Sequence, residues 1–404
     1  MKYDKPTVTF STLGFLPEYG GVENSIRYLA REARVLNYRA VVITAQTPLL
    51  AYKAVDRFEN AVVIRFRFRP YNSKIFNLLH LPFAFFDIWR KMRVIHRRYD
   101  VKTSVNRNQF LSFFAQLIFT RNVYVAPGFS KFQATPENLN KGMSGLKRAL
   151  TSVKARVHDF FDRRALTNSD HVFVFSENMK QQAEAVVGSK TFQSLPLSIT
   201  KPGVDGTQFS PVGQAEKQRL RKELGLPEGR NLVLSVGRFV SAKGFDYLAA
   251  ASEYASENTT YVIVGDGPDR SDLLSKHARA IEQQKLMLPG KSSDTSKYYR
   301  ACDVFVLSSV YEPLGQTLLE AAACGLPIVA FRQQKGVMTA TKEIFGDVAH
   351  YVNNLSDTAL SDTIDRLLNL NAEQFSEVGR RSREHVLAHC NWHKLLKQLL
   401  EQHK

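Results

Sequence analysis

Two glutamates flank a turn in the second half of the chain, and their surroundings indicate phosphate chemistry. Glu312 and Glu320 have seven residues between them, including the turn Leu314-Gly315-Gln316-Thr317. The apolar run Val304–Leu307 comes before them and predicts a buried strand, and the turn opens a predicted helix over Thr317–Cys324. Because the first N–H groups of a helix lack partners within it and carry the positive end of its dipole, this turn can bind a phosphate.

The two carboxylates have different tasks in this interpretation. Glu320 falls in the first turn of the predicted helix, where an ionised carboxylate can accept hydrogen bonds from two vicinal hydroxyl groups, as a ribose offers. Glu312 precedes the helix and can reach hydroxyl groups of a substituent beyond the phosphates. A structural interpretation fits the same residues equally well: Glu312 would be a solvated loop residue, and Glu320 would only interact with the helix dipole.

A second loop between a predicted strand and a predicted helix carries two cations. The stretch Val236–Gly244 reads VGRFVSAKG, with Arg238 and Lys243. A planar guanidinium fork and a compact ammonium together suit a diphosphate. Either residue alone would be a surface charge in a loop, but the pair beside two glycines favours binding.

Two further glycine-rich turns carry weaker signals. Gly20 and Gly21 follow the first predicted strand and open the first long helix, but they lack the full G-x-G-x-x-G pattern of a phosphate loop. A plain strand–helix turn explains them as well. The turn in Ile263–Pro268 reads IVGDGP, and we interpret its glycines as structural.

Short β-branched runs alternate with helical patterns throughout the chain, which predicts parallel sheets with helices on both faces. The Pro- and Gly-containing stretch Leu195–Gly206 interrupts this order near the midpoint. We interpret it as the linker between two Rossmann-like domains, 1–200 and 201–385, with a C-terminal amphipathic helix in 386–404 that packs back towards the first. The alternative is a long loop inside one large sheet.

The predicted strands are Val8–Ser11, Ala40–Thr44, Val62–Phe66, Val123–Val125, His171–Phe175, Leu232–Val236, Tyr261–Val264, Val304–Leu307 and Ile328–Ala330. The predicted helices are Asn24–Val35, Leu146–Ala165, Glu177–Val187, Phe245–Glu257, Arg270–Glu282 and Thr317–Cys324.

Composition excludes several classes of protein. The chain of 404 residues has a net charge of +17, which attracts nucleic acid, anionic lipid or phosphorylated small molecules. It shows no helix-turn-helix, RNP or zinc-finger pattern, so nucleic acid is not the expected partner. Its three cysteines, far apart, fit a reducing cytoplasm rather than disulfides or zinc. Without an N-terminal apolar core or an apolar run of ~18 residues, we expect a cytoplasmic protein, soluble or peripheral on a membrane.

A basic and aromatic segment lies in the first half. Ile75–Val101 begins with aromatic and aliphatic residues and continues with Arg90, Lys91, Arg93, Arg97 and Arg98. Such a segment can lie on an anionic membrane surface, although a core helix with a solvated basic face is an equal alternative. Arg65, Arg67 and Arg69 alternate along a strand-like run and are expected to face a phosphate of an acceptor.

These motifs, in this order, resemble the retaining glycosyltransferases of the GT-B fold, specifically the "group 1" family. The resemblance covers nearly the whole chain and is strongest over Asn231–Ile344. Its motifs are GGVE at Gly20–Glu23, GRFVSAKG at Gly237–Gly244, VGDGP at Val264–Pro268, and CDVFVLSSVYEPLGQTLLEAAACGLPIVA at Cys302–Ala330. The resemblance implies an α/β fold with two Rossmann-like domains facing each other across a cleft.

The resemblance also implies roles for individual residues. Arg238 and Lys243 would hold the diphosphate of a nucleotide sugar donor, Glu320 the ribose, and Glu312 the transferred sugar. The remaining donor contacts would be Leu314, Gly315, Gln316 and Thr317 through backbone N–H groups, Gly20 and Gly21 at the donor phosphates and acceptor, and Lys291 and Ser292 at the base through main-chain groups.

By the same resemblance, the donor is a UDP- or GDP-linked hexose, and the acceptor is a growing glycan or glycolipid. The family retains the anomeric configuration and generally needs no metal, and no D-x-D motif follows a strand here. A front-face reaction is favoured, in which the departing phosphate oxygen takes the acceptor proton. Orientation and stabilisation of the leaving group then provide most of the catalysis.

One departure from the family pattern concerns a histidine. Many members carry it just after a mid-domain strand, but the corresponding stretch here, Val123–Ser130, has none. His158 and His171 are the nearest histidines downstream, and structural roles compete with site roles for both. The gap motivates a second candidate function, a non-catalytic nucleotide-sugar-binding subunit of a glycan-assembly complex.

Overall fold

The computed structural model describes residues 5–16, 20–46, 53–59, 61–68, 74–133 and 145–401, so Arg69 and residues 17–19 lie outside the described part. The chain divides into two compact units. The first unit combines Met1–Thr200 with Trp392–Lys404, and the second is the continuous segment Lys201–Asn391.

The first unit contains an eight-stranded sheet with the order β3-β4-β2-β1-β5-β6-β7-β8. Its strands are parallel except for the edge strand β3, which runs antiparallel to β4. The strands are β1 (Thr7–Thr12), β2 (Arg39–Ala45), β3 (Val55–Phe58), β4 (Ala61–Phe66), β5 (Val101–Asn106), β6 (Asn122–Val125), β7 (His171–Val174) and β8 (Leu197–Ile199).

Helices connect these strands. They are α1 (Gly21–Val35), α2 (Lys74–Leu79), α3 (Leu81–Arg98), α4 (Gln109–Gln116), α5 (Ser130–Gln133), α6 (Gly145–Thr167), α7 (Glu177–Val187) and α8 (Ser189–Phe192). One apolar cluster on this sheet joins Val41 and Ile43 of β2 to Ile88 and Met92 of α3 and to Leu111 of α4. Because β1, β5, β6 and β7 pair in parallel, their carboxyl ends lie at one edge of the sheet.

The second unit contains a six-stranded parallel sheet with the order β11-β10-β9-β12-β14-β16, and a separate parallel pair of β13 with β15. The strands are β9 (Asn231–Val236), β10 (Thr259–Val264), β11 (Leu286–Gly290), β12 (Val304–Leu307), β13 (Tyr311–Glu312), β14 (Ile328–Phe331), β15 (Met338–Thr339) and β16 (His350–Val352). The helices are α9 (Gln214–Glu223), α10 (Phe245–Ala251), α11 (Arg270–Lys276), α12 (Ala278–Glu282), α13 (Ser296–Ala301), α14 (Gln316–Ala323), α15 (Thr341–Phe345), α16 (Asp357–Leu368) and α17 (Ala372–His389).

Apolar side chains cover both faces of this second sheet. Successive side chains of a strand point to opposite faces, so a strand made of apolar residues contributes to both. In β9, Leu232, Leu234 and Val236 join the cluster on one face, whereas Val233 joins the cluster on the other. A strand buried on both faces is typical of a doubly wound parallel sheet. The loops that follow its strands therefore all emerge at the same edge.

The last helix, α18 (Trp392–Leu400), belongs to the first unit. The ring of Trp392 stacks on that of Tyr28 in α1, with centroids 5.3 Å apart. His393 Nδ1 lies 3.1 Å from a carboxylate oxygen of Glu32, and Arg121 Nη1 donates to the carbonyl of Leu400 at 2.8 Å. These contacts bind α18 to the first unit along its length.

Three predicted elements differ in the structure. The expected helix Phe245–Glu257 is an α-helix only to Ala251 and continues as a 3₁₀ helix over Ser252–Tyr254. Part of the expected linker Leu195–Gly206 is the edge strand β8, which pairs with β7 through Val172 and Leu197. The expected helix Arg270–Glu282 is two helices, because His277 between them has non-helical torsion angles, with φ −111° and ψ 28°. His277 is buried there, and its Nδ1 lies 2.8 Å from Glu253 Oε1.

The segment Ile75–Val101 contains two helices rather than one, because α2 ends at Leu79 and α3 begins at Leu81. Lys91, which we expected on its basic face, is buried and pairs with Asp87 at 3.0 Å. No helix in the described part of the chain is long and apolar enough to span a membrane.

Candidate functional site

Two loops at the carboxyl edge of the second sheet are joined by hydrogen bonds. After β9, the N–H of Gly237 donates to the carbonyl of Val264 at 3.0 Å, and a short 3₁₀ helix covers Ser241–Lys243. After β12, Ser308 Oγ donates to the carbonyl of Lys243 at 2.9 Å, and the N–H of Val310 donates to the carbonyl of Ala242 at 3.0 Å. The loop with the two cations and the loop with Glu312 therefore form one surface.

Gly244 is required at the closest approach of these loops. It adopts the left-handed conformation with φ 60°, and a Cβ atom there would lie 2.1 Å from the carbonyl oxygen of Ser308. Both the torsion angle and the contact exclude a larger residue. Gly265 and Gly267 have a similar structural task, because Cβ atoms there would meet the backbone of Gly237 and Phe239 at 1.8 and 2.4 Å.

Lys243 and Glu312 meet at the centre of this surface. The Lys243 ammonium forms an ion pair with Glu312 Oε2, and Glu312 Oε1 accepts the N–H of Gly315 at 3.2 Å. Glu312 is only 8% exposed. It is therefore a buried, fixed carboxylate rather than a solvated loop residue.

Arg238 lies in the same loop as Lys243 and is exposed. Its side chain makes no hydrogen bond or ion pair with any residue that the structure describes. Its guanidinium is therefore available to an anionic ligand.

The turn before α14 has the features of a phosphate-binding helix start. Gly315 adopts φ 76°, and α14 begins at Gln316. In the described residues, no acceptor lies against the backbone N–H groups of Gln316 and Thr317. The side chain of Gln316 points elsewhere, because its Nε2 donates to the carbonyl of Gly203 at 3.1 Å. Leu314 is half-buried beside them.

Glu320 is the fifth residue of α14, so it lies at the start of the second turn rather than in the first turn as predicted. Its spacing of four residues from Gln316 keeps it on the same face as the start of the helix. The carboxyl group is buried, and burial raises its pKa to about 7. Tyr299 Oη donates to Glu320 Oε2 at 2.9 Å. Tyr299 was not predicted, because nothing in the sequence pairs it with Glu320.

Lys291 and Ser292 follow β11, two strands from β9 at the same edge of the sheet. Lys291 is exposed, and Ser292 Oγ accepts the N–H of Asp294 at 3.1 Å. The carbonyl of Gly290 accepts the N–H of Gly265 at 2.9 Å, which joins this loop to the one after β10. No side-chain contact links this pair to Arg238 or Lys243 in the described structure.

Gly20 and Gly21 lie in the first unit, where Gly20 caps α1 in an extended conformation. A Cβ atom on Gly20 would lie 2.3 Å from Glu23 Oε2, so the Glu23 carboxylate folds over this turn.

Other predicted residues of the first unit have structural partners. Arg65 is buried, and its Nη2 donates to the carbonyl of Leu16 at 2.9 Å. His171 starts β7, and its Nε2 lies 2.9 Å from Ser198 Oγ. His158 Nδ1 lies 3.2 Å from Gln109 Nε2 and 3.3 Å from Ser130 Oγ, at the stretch that lacks a histidine.

The described residues contain no cluster of three or more His, Cys, Asp or Glu side chains that could hold a metal ion. The three cysteines are buried thiols. The chemistry that the geometry offers is that of two cations, free helix N–H groups and two buried carboxylates.

Comparison with known proteins identifies the family of the second unit. Residues 216–385 match the family described as "Glycosyl transferases group 1". The alpha-maltose-1-phosphate synthase of Mycolicibacterium smegmatis is 25% identical over 61% of this chain and 66% of its own. The alpha-monoglucosyldiacylglycerol synthase of Streptococcus pneumoniae is 22% identical over 92% of this chain and 83% of its own. For the next curated relatives the match spans about half of their length or less, from 32% to 53%.

Solved structures share the fold over the whole chain. Anabaena Alr3699/HepE in complex with UDP and glucose superposes with a TM-score of 0.70, over 97% of this chain and 98% of its own, at 15% identity. The family and the fold class predicted from the sequence are therefore confirmed. Residues 216–385 of this chain match the group 1 glycosyltransferases, and its α/β fold, with two Rossmann-like domains, is GT-B.

Proposed function

We propose that this protein is a retaining hexosyltransferase that moves a hexose from a UDP- or GDP-linked sugar to a growing glycan, lipid-linked or membrane-associated. The observation that carries the proposal is the arrangement at the second sheet's edge. Lys243, Arg238 and the N–H groups of Gln316 and Thr317, which have no acceptor among the described residues, supply positive charge and donors for one diphosphate.

The carboxylates complete the donor site in this proposal. Glu320 Oε2 is held by Tyr299, which leaves Oε1 to accept hydrogen bonds from the ribose hydroxyl groups. Glu312, beside the start of α14, accepts from hydroxyl groups of the transferred hexose once the donor phosphate has drawn Lys243 away. Main-chain groups at Lys291 and Ser292 hold the base.

The reaction needs little proton transfer from the protein. In a front-face displacement, the bond between the anomeric carbon and the phosphate oxygen breaks as the acceptor oxygen approaches from the same face. The departing phosphate oxygen takes the acceptor proton, and Arg238, Lys243 and the helix N–H groups stabilise the diphosphate that forms. Arg238 and Lys243 thereby supply the positive charge that a divalent ion would otherwise supply to the departing diphosphate, so we propose a metal-independent reaction.

The acceptor is proposed to lie at an anionic membrane surface, on the cytoplasmic face. Five exposed residues of α3 recur at spacings of three and four residues and form one surface, the α3 stripe (Phe83, Phe86, Arg90, Arg93 and Arg97). Its aromatic half can enter the interface while its basic half contacts lipid phosphates, at about 1 kcal/mol for each cation. The relative named for a glucosylated diacylglycerol supports a lipid acceptor.

A donor panel tests this function. Purified protein is mixed with UDP- and GDP-linked hexoses, and both the melting temperature and the release of free hexose are measured. A ligand at 100 times its Kd should add about 2.7 kcal/mol to the free energy of unfolding. We expect slow donor hydrolysis with retained anomeric configuration, read by NMR. Stabilisation without any turnover, even with glycolipid acceptors, would instead favour the non-catalytic nucleotide-sugar-binding subunit.

A further inference from the structure

A buried arginine in the first unit has no role in the donor site described above. Arg107 follows β5, and its N–H donates to the carbonyl of Ser11 in β1 at 2.8 Å. Its side chain is 2% exposed, with Nη1 donating to Ser25 Oγ of α1 at 2.8 Å. The guanidinium carbon lies 5.2 Å from the ring centroid of Phe175, just after β7.

The charge on this guanidinium is not compensated by an ion pair. In the described part of the chain, no carboxylate lies within ion-pair distance of Arg107, and its buried Nε has no acceptor. Burial lowers the pKa of Arg107 to about 10, electrostatic interactions with Tyr124 and Glu23 oppose that shift, and the guanidinium remains charged at neutral pH. A buried, hydrogen-bonded charge without a counter-ion is costly, and proteins rarely keep one for stability alone.

The position of Arg107 is that of a ligand site. In the strand order of this sheet, β1 and β5 are neighbours, and the chain winds outward from them in opposite directions. Ligands of doubly wound sheets bind at this switch point, beyond the carboxyl ends of the strands. Tyr124 of β6 is also buried near this edge, and its hydroxyl group has no hydrogen-bond partner among the residues that the structure describes.

We propose that Arg107 forms the centre of an anion site in the first unit, which binds a phosphate or carboxylate group of the acceptor. This inference rests on the proposed transferase function and extends it, because it makes the acceptor an anionic glycan or glycolipid. The Arg107 guanidinium supplies the charge-assisted hydrogen bonds, and Tyr124 Oη supplies a further donor.

The test compares two buried arginines. Arg107→Met removes an unpaired charge and keeps an unbranched apolar chain, so we expect the melting temperature of the ligand-free protein to rise by about 2–4 °C. Arg221→Met is the matched control. Arg221 is 4% exposed and pairs with Asp303 at 2.8 Å, so its loss leaves a carboxylate with one cation fewer and should lower the melting temperature.

Inorganic phosphate serves as the probe, in protein that also carries Arg238→Gln and Lys243→Gln to weaken the donor site. Phosphate should raise the melting temperature in this background, and adding Arg107→Met should abolish the increase. In protein with an intact donor site, Arg107→Met should reduce transfer to phosphorylated or carboxylated acceptors at least about a hundredfold more than transfer to neutral ones. If Arg107 instead bound a phosphate of the nucleotide sugar donor, Arg107→Met would weaken UDP binding.

A fall in melting temperature like that of Arg221→Met, with the phosphate response unchanged, would overturn the anion site. The phosphate arm does not depend on turnover. It therefore tests the anion site even if no donor is ever cleaved. The absence of donor cleavage would count against the transferase function but not against the anion site.

Discussion

The ammonium group of Lys243 and the carboxylate of Glu312 form an ion pair, although each was expected to contact the donor. Glu312 also accepts the N–H of Gly315 at 3.2 Å, so the ion pair is fixed to the turn that starts α14. Without a donor, the two groups satisfy each other. A diphosphate must therefore compete with Glu312 for Lys243.

The first prediction concerns this competition. Glu312→Gln keeps an acceptor for the N–H of Gly315 but removes the ion pair, so Lys243 becomes available. We expect UDP to bind about fivefold more tightly, corresponding to about 1 kcal/mol for a partly exposed pair, whereas transfer falls at least about a hundredfold. Calorimetry and initial rates measure both. Arg238→Gln is the control and should weaken UDP binding; weaker binding in Glu312→Gln as well would contradict the competition.

The second prediction is a pH dependence of donor binding. The pKa of Glu320 is raised to about 7 by burial, and only its ionised form accepts two hydroxyl hydrogen bonds. From about pH 6 to about pH 8 the ionised fraction increases roughly tenfold, and the affinity for a nucleotide sugar should increase with it. A nucleotide sugar is preferable to UDP, because a terminal phosphate titrates near about pH 6.

Two variants separate this effect from other titrations. Glu320→Gln should bind the donor weakly at every pH, without the increase. Tyr299→Phe removes the hydrogen bond that lowers the pKa of Glu320, so the midpoint should move to higher pH. An unchanged pH profile in both variants would assign the titration to another group.

The third prediction is the effect of the same shift on stability. The folded-state pKa of Glu320 lies above its ordinary value of 4.5, so between these two values the folded protein holds more protons than the unfolded chain. The stabilising contribution of Glu320 to the free energy of unfolding is therefore fully present below about pH 4.5. It decreases as the pH rises and is lost above about pH 7. Urea denaturation of wild type and Glu320→Gln across this window measures the difference, which should grow with pH.

The fourth prediction concerns the contact between the two loops. Gly244→Ala places a Cβ atom against the Ser308 carbonyl oxygen in a left-handed residue. It should cost at least about 2 kcal/mol and weaken UDP binding. Gly336→Ala is the matched control, because Gly336 has φ 85° and no described residue lies within 4 Å of its Cβ position. It should cost only about 1 kcal/mol, and equal losses in urea denaturation would show that the loop contact is unimportant.

The fifth prediction concerns the α3 stripe. Phe83→Ser with Phe86→Ser removes two side chains that are 69% and 60% exposed, so the fold should be retained while binding to vesicles with anionic lipid decreases at least about tenfold. Leu117→Ser is the control, because Leu117 is 64% exposed but lies outside the stripe. Co-sedimentation measures binding, and a loss that is equal in the control would show a general effect of surface apolarity.

Much of the second unit was predictable because its strands are apolar runs and its loops carry charged or glycine residues at strand ends. Val304–Leu307 is a strand as predicted, and the loop that follows β9 brings Lys243 to Glu312. Here local pattern and tertiary packing agree. The side-chain partner of Glu320 was not predictable, since Tyr299 lies 21 residues earlier and its contact depends on the packing of α13 on α14.

The first unit was less predictable because polar residues occupy buried positions. β5 reads VKTSVN and was not predicted as a strand, yet it is central in the sheet, and Asn106 makes hydrogen bonds there with Asn122 and Ser104. Arg107, which follows it, was therefore not considered. Arg65 was expected to face an acceptor phosphate because it alternates with Arg67, and the sequence did not indicate that its side chain is buried and donates to the carbonyl of Leu16.

The position of α18 has a consequence for dissecting the molecule. Lys201–Asn391 is contiguous and can be excised by two cuts, whereas the remaining fragment would be discontinuous. Deleting the last 13 residues, Trp392–Lys404, would uncover Tyr28 in α1 and remove the carbonyl acceptor of Arg121. A tag or fusion that unravels the C-terminus would therefore damage the N-terminal half of the sequence, and an internal deletion that joins residue 200 to residue 392 would express the first unit as one chain.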